Sequence, residues 1–257
     1  MSERDAVNNP IVWSFGGGVQ SAALAVLIAN GTLPRPDFSL MADTGRERSE
    51  TWDYLRDVIQ PLLLPHGVQV EVIPPSYATV GLRSHLGSVL VPAFTDFSGA
   101  IGQLPTYCST EWKVRPIHRR LRELGVTECA VWLGISADEA HRAKDSRVKW
   151  ITHEYPLLDL LLKREACSQL VIDAGLPAPP RSSCWMCPHS GQARWLDLKR
   201  RYPDEFAKAV AVDKSLRDDD GGSIYLHRSG RPLDEAVSAG EAQGDLFNGC
   251  DSGYCWT

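Results

Sequence analysis

Ser14-Phe15-Gly16-Gly17-Gly18-Val19-Gln20-Ser21 is the stretch on which the reading of this chain turns. Ile11-Val12-Trp13 ahead of it has the pattern of a short apolar strand, and Ser21 to Asn30 that of a helix which Gly31 would stop. Three consecutive glycines between strand and helix let the backbone turn without Cβ clashes and leave amide N–H groups facing outward toward an anion. The expected product is a phosphate cradle, with Ser21 capping the helix or bonding a phosphate oxygen and the helix dipole favouring negative charge. A glycine-rich turn that binds nothing is the plain alternative.

Neither of the commoner nucleotide loops fits. No Lys follows the glycines as G-x-x-x-x-G-K-S/T requires, and Ser21 stands where G-x-G-x-x-G needs its last glycine. The stretch resembles instead the pyrophosphate loop (PP-loop), S-G/S-G-x-D/Q-S, of ATP pyrophosphatases, in the S-F-x-G-G variant of relatives of phosphoadenosine phosphosulfate (PAPS) reductase. Gly16 stands where many members have Ser and Gln20 where many have Asp, which implies rearranged phosphate and Mg²⁺ contacts.

Three later segments extend the resemblance. Phe38 to Ala42 reads as a second buried strand that ends in Asp43-Thr44-Gly45, with a helix expected from Ser49 to Gln60. In a parallel sheet ligand residues gather at the carboxyl ends of strands, so Asp43 would lie beside the glycine loop, suited to Mg²⁺ or a ribose hydroxyl; an Asx turn leaving a strand is the competing reading. Tyr107 to Ile117 resembles the family's C-T-x-x-x-K segment, which implies anion contacts for Lys113 and Arg115. A solvated basic helix face is expected for Arg119, Arg120 and Arg122. Cys129 to Ile135 reads as a buried strand, and Gly134-Ile135-Ser136-Ala137-Asp138-Glu139 through Lys144 resembles a fourth family motif. Gly134 and Ile135 would let a nucleotide approach the backbone, and Arg142 would hold phosphate charge unless it pairs with Asp138 at i, i+4.

The cysteines form the second chemical feature. Cys184-Trp185-Met186-Cys187 is a C-x-x-C turn, the usual first half of a zinc or iron–sulfur site, although a redox dithiol shares it. Cys108, Cys250 and Cys255 offer further thiols, whereas Cys129 and Cys167 read as core. Softness suits thiolates to a [4Fe–4S] cluster or to tetrahedral zinc alike. The resemblance to DNA phosphorothioation and two-thiocytidine tRNA enzymes, which pair a PP-loop with cysteine-held clusters, implies iron–sulfur through Cys108, Cys184 and Cys187, with Cys250 or Cys255 as fourth ligand.

Composition agrees with an ordinary soluble protein: 257 residues, 43% hydrophobic and 23% charged, room for one sizeable core and an extension. A net charge of −5 gives no global pull toward nucleic acid or anionic membrane. No apolar run reaches the roughly 18 to 20 residues of a membrane span, so a cytoplasmic location without membrane partners is expected, where disulfides are disfavoured. Strands alternate with helices, with a fifth strand at Lys149 to Tyr155 and a helix at Arg164 to Ala174, which argues for a doubly wound parallel sheet. The resemblance names it as the adenine nucleotide alpha hydrolase-like α/β fold of about five strands over residues 1–175, with a helical, cysteine-bearing extension at 176–257. Ser76 to Thr106 reads as irregular, of the kind that forms a lid or substrate loop.

The implied activity is that of an ATP pyrophosphatase, converting ATP to AMP and pyrophosphate while adenylating an acceptor, DNA or RNA among the candidates, for sulfur transfer. Two alternatives stay open. A sulfonucleotide reductase is disfavoured because the chain ends in C-D-S-G-Y-C-W-T, without the C-terminal cysteine motif of those enzymes. A non-catalytic nucleotide-binding accessory protein of a genome-defence or mobile-element system, bound to a partner complex, is kept by the substitutions at Gly16 and Gln20.

Overall fold

The computed structural model describes residues 9–75, 81–219 and 221–243. Two compact units emerge, one from residues 9–43, 49–75 and 113–182, the other from 44–48, 81–112, 183–219 and 221–243, so the chain passes between them several times.

In the first unit, β1 (Ile11–Ser14) leads through the glycine loop into α1 (Val19–Ala29), and β2 is Phe38–Ala42. The helical stretch after it comprises α2 (Ser49–Tyr54), a π-turn at Leu55–Ile59 and α3 (Gln60–Leu63), longer than the expected helix. Pro61 explains the π-turn: it has no N–H for the i−4 carbonyl and its ring crowds that oxygen, so the helix widens just before it. Strand β3 (Val70–Ile73) closes this half.

The chain leaves for the second unit through β4 (Phe94–Phe97) and β5 (Ala100–Gln103) and returns along α4 (Arg115–Glu123), entered by a π-turn at Thr110–Val114. Then come β6 (Cys129–Trp132), β7 (Ile151–Glu154), the short α5 (Pro156–Asp159) and α6 (Arg164–Asp173). The first unit's sheet runs β3-β2-β1-β6-β7 with every pair parallel, the doubly wound arrangement expected from the alternation. Order reverses between β1 and β6, and at such a switch point the loops leaving the two strands diverge and open a crevice.

Alternation along β1 separates the two faces of this sheet. Trp13 joins a core with α1, Ile59, Leu157 and Cys167, while Val12 joins another with Leu40, Val131 and the α4 residues Ile117 and Leu121. Burial on both faces is what a central parallel strand requires, and it accounts for the unbroken apolar run of β1.

The second unit is built on α7 (Gln192–Arg201), α8 (Pro203–Asp219) and α9 (Leu233–Gln243) beside an antiparallel sheet β5-β4-β8, with β8 at Ile224–Tyr225. Trp112, Met186, Trp195, Leu198, Leu226 and Leu233 fill its core, so the aromatic residues of 193–216 pack the interior as their helical spacing indicates. The stretch expected to be irregular contains the β4–β5 hairpin. Ser98 (φ 57°) and Gly99 (φ 85°) make the two-residue turn, and the Gly99 N–H donates to Asp96 Oδ1 at 2.8 Å. Both central residues at positive φ twist the ribbon in the sense a hairpin needs.

Candidate functional site

The glycine loop leaves the carboxyl end of β1 at the switch point. Phe15 N–H still donates to Leu40 O at 2.8 Å, and α1 then begins at Val19 with Gly18 as its N-cap. The helix starts two residues earlier than the pattern indicated, so Ser21 does not cap it. Instead Ser21 Oγ accepts from the Gly16 N–H at 2.9 Å, which pins the loop and leaves the hydroxyl proton to donate elsewhere.

Among the described residues no protein acceptor takes the backbone N–H groups of residues 17 to 21; the first hydrogen bond of α1 is Ala22 N–H to Gly18 O at 2.9 Å. Unsatisfied donors converging at a helix N-terminus favour an anion. Glycine is required at position 17, where φ is +74° and an added Cβ would stand 2.6 Å from Thr51 Cγ2. Thr51 is 1% exposed and its Oγ1 has no hydrogen-bond partner. Ser182, two positions before Cys184, packs on the other side, with its Cβ 3.6 Å from where a Cβ on Gly18 would lie. This backbone fits a phosphate chain: a cradle that a side chain would fill, lined with donors.

Around the first turn of α1 lies a polar cluster. Gln20 Nε2 donates to Glu139 Oε2 at 3.1 Å and approaches Ser136 Oγ at 3.4 Å, while Gln20 Oε1 accepts from Arg164 at 3.5 Å. Arg142 pairs with the same Glu139 oxygen at 3.0 Å, not with Asp138 as the i, i+4 spacing suggested. Asp138 is turned away to accept the Arg164 N–H at 2.9 Å. The cause is local: residues 137–142 form a tight 3₁₀ turn, which stacks i with i+3. Gly134 packs on this same turn of α1, since a Cβ there would lie 3.3 Å from Gln20 Cβ, and Ile135 is buried beside it. Ser14 is buried, and Asp43 follows β2 directly, its N–H donating to Ile73 O at 2.8 Å.

Lys113 is half-buried in the π-turn before α4, a helix that packs on β2 and β3, and Arg115 is exposed at its first position. The arginines further along are not simply solvated. Arg120 bonds Glu71 at 2.6 Å, and Arg122 lies 3.8 Å over the Trp150 ring.

The second unit holds Cys108, Cys184 and Cys187. Thr44 Oγ1 lies 3.9 Å from Cys184 Sγ and accepts from the Arg46 N–H at 3.2 Å, while Gly45 takes φ +67° to make the turn. Arg46 donates to Thr44 O at 3.1 Å and stacks 4.4 Å over Trp112. Burial lowers the Arg46 pKa, while the sulfurs of Cys184 and Cys108 beside it pull the other way. One half-buried guanidinium therefore lies near two of the expected thiols. Nothing in the sequence reading singled out Arg46; its place one residue after D-T-G was the available signal.

Cys187 N–H closes a turn on Cys184 O at 3.2 Å, which is the C-x-x-C bend. Among the described residues no group of three or more His, Cys, Asp or Glu side chains that could hold a metal ion is found. Cys250 and Cys255 lie outside the described residues. Cys129 and Cys167 are core: burial raises both thiols, that of Cys167 to about 11. No helix among the described residues is long and apolar enough to cross a membrane.

No family model matches the chain, and no curated protein matches it. Among solved structures it is similar to the U34-tRNA thiolase NcsA from Methanococcus maripaludis with its [4Fe-4S] cluster, at 14% identity and a TM-score of 0.43, over 96% of this chain and 76% of that one. A likeness of that degree transfers no residue role and no activity.

Proposed function

We propose that the chain is an ATP pyrophosphatase of the PP-loop, PAPS reductase-like kind, which adenylates an acceptor for sulfur transfer. The observation that carries this reading is the run of backbone donors at residues 17 to 21, without protein acceptors, at the start of α1 and at the switch point of a parallel sheet.

ATP binds with its phosphate chain against these amides and the Ser21 hydroxyl. An acceptor oxygen attacks the α-phosphorus, the bond to the bridging oxygen breaks, and pyrophosphate leaves, so that the acceptor carries AMP until a sulfur nucleophile displaces it. The protein's part is positioning and charge stabilisation, which the amides supply without reorganisation and to which Arg142 and Lys113 add cationic charge. Mg²⁺, held by Asp43, would neutralise charge on the departing pyrophosphate.

The thiols enter as the sulfur-handling part. Cys108 and Cys184 beside Arg46 suit a soft metal centre in chemistry and setting, and Cys187 with Cys250 or Cys255 would complete a [4Fe–4S] or zinc site. Because the described residues gather no three ligands, no step is routed through that centre. Iron, sulfide and zinc quantification after anaerobic purification separates the two metals.

The reaction is tested by incubating the protein with ATP, Mg²⁺ and candidate DNA and RNA acceptors and measuring products. AMP and pyrophosphate in equal amounts support it; ADP with phosphate, or no product, contradicts it. A second reading, a nucleotide-binding protein without turnover, is favoured by one observation: the Gln20 amide is engaged at both ends by Ser136, Glu139 and Arg164.

A further inference from the structure

The loop's first helical turn is held by a carboxylate that lies far from it in sequence. Gln20 Nε2 and an Arg142 guanidinium nitrogen converge on one oxygen, Glu139 Oε2, at 3.1 and 3.0 Å. Glu139 and Arg142 side chains are only 16% and 7% exposed, so water screens this contact weakly. The helical path breaks at Glu139 (φ −108°, ψ 16°), the sparsely populated bridge conformation, and it is this residue that reaches Gln20. Ser136 and Arg164 complete the surround of the Gln20 amide, and Gly134 lets the turn pack close, since a Cβ there would stand 3.3 Å from Gln20 Cβ.

A carboxylate at the positive end of α1 would compete with a bound anion if it were uncompensated. Here Arg142 offsets the Glu139 carboxylate, and Arg164, whose N–H donates to Asp138, offsets a second one, so the cluster sets no bare negative charge against the loop. Glu139 also fixes the direction of Arg142, a long side chain that would otherwise lose rotamer freedom on engaging a ligand.

We propose that Glu139 is a positioning residue for the nucleotide's phosphate chain, acting through Gln20 on the backbone donors of α1 and through Arg142 on the charge presented to the phosphates. The proposal rests on the nucleotide reading of the loop. It makes Gln20 a clasp for the loop, not a ligand of phosphate or Mg²⁺, and it explains why an amide, which can donate to Glu139 and accept from Arg164 at once, serves at position 20.

The test is calorimetric titration of the full-length protein with ATP and, separately, with inorganic pyrophosphate, alongside thermal unfolding of every variant. Glu139→Gln keeps the shape and removes the charge; binding of both probes should weaken about ten-fold or more while the folded state survives. Exchanging the pair, Gln20→Glu with Glu139→Gln, restores a donor facing a carboxylate and should recover most of the affinity, which a merely structural loss would not do. Should Glu139→Gln fail to fold, the exchanged pair alone decides: it must fold and bind within a few-fold of wild type. If wild type binds both probes and Glu139→Gln binds them equally well, or if the exchanged pair binds no better than Glu139→Gln, this proposal is overturned and the nucleotide reading stands. If wild type binds neither probe, both fall.

Discussion

Replacing Gly17 with alanine isolates the feature on which nucleotide binding depends. The backbone there sits at φ +74°, where an L side chain costs about 1–2 kcal/mol. The new Cβ would stand 2.6 Å from Thr51 Cγ2. Thr51 cannot easily give way, because it is 1% exposed, lies within α2 and is β-branched. Relieving that overlap costs a further ~1–3 kcal/mol, for a total of about 2–5 kcal/mol in stability. The relief also turns the loop amides away from their common focus. Each charge-assisted bond to phosphate is worth roughly 1.5–3 kcal/mol, so losing the alignment of even one weakens ATP by about ten-fold or more. Gly18→Ala is the comparison: φ is −104° and the nearest atom to its Cβ is Ser182 Cβ at 3.6 Å, an ordinary contact, so about 1 kcal/mol or less is expected. Denaturant unfolding and calorimetric ATP titration read both effects. A Gly17→Ala protein as stable as Gly18→Ala and binding ATP like wild type would show that the left-handed glycine does not shape the phosphate cradle.

Further outcomes are expected away from the loop. His227 is buried, its Nδ1 accepts the Ser229 N–H at 3.2 Å and its Nε2 lies 3.0 Å from Gln192 Oε1; burial first, and Arg228 second, lower its pKa to about 4. The unfolded chain takes up that proton near pH 6.5 and the folded one does not, so this contribution to stability is full above pH 6.5 and is lost as pH falls toward 4, by up to roughly 3 kcal/mol. Unfolding free energies at pH 7.5 and 4.5 should show a steeper loss in wild type than in His227→Gln, and equal slopes would contradict it. Asp213, fully buried, accepts from the backbone N–H groups of Leu226 (2.7 Å) and Leu233 (3.0 Å) and pairs with Arg217. Asp213→Ala should therefore cost about 3–5 kcal/mol in denaturant unfolding, and a loss under 1 kcal/mol would show that the carboxylate does not tie β8 and α9 to α8. Cys184→Ser should lower bound metal per chain by more than half in anaerobic preparations, while Cys167→Ala, a core position, leaves it unchanged; equal metal content in both variants would remove Cys184 from the site.

The parallel sheet was legible because its signals are local: apolar runs such as Phe38–Ala42, glycine stops such as Gly31, and the glycine loop itself. Cys129 was readable as core for the same reason, since it lies in the apolar run Cys-Ala-Val-Trp. What escaped depends on partners distant in the chain. Glu139 reaches Gln20 across more than a hundred residues, and no periodicity announces that pairing. Arg142 was matched to Asp138 by α-helical spacing, but the segment winds as a 3₁₀ turn, which changes the partner to Glu139. The β4–β5 hairpin had a readable cue in Ser98-Gly99 between Phe-Thr-Asp-Phe and Ala-Ile, which the neighbouring glycines masked. Arg46 gains its significance from Trp112, Cys108 and Cys184, which only the tertiary structure brings to it.

The most direct test of nucleotide capture by the loop is an amide-resolved NMR titration of the ¹⁵N-labelled protein with ATP and Mg²⁺. Saturable shifts concentrated at the backbone N–H groups of residues 17 to 21 and at Thr51 are expected. Saturable shifts confined to other parts of the chain, or none at millimolar ATP, would contradict it.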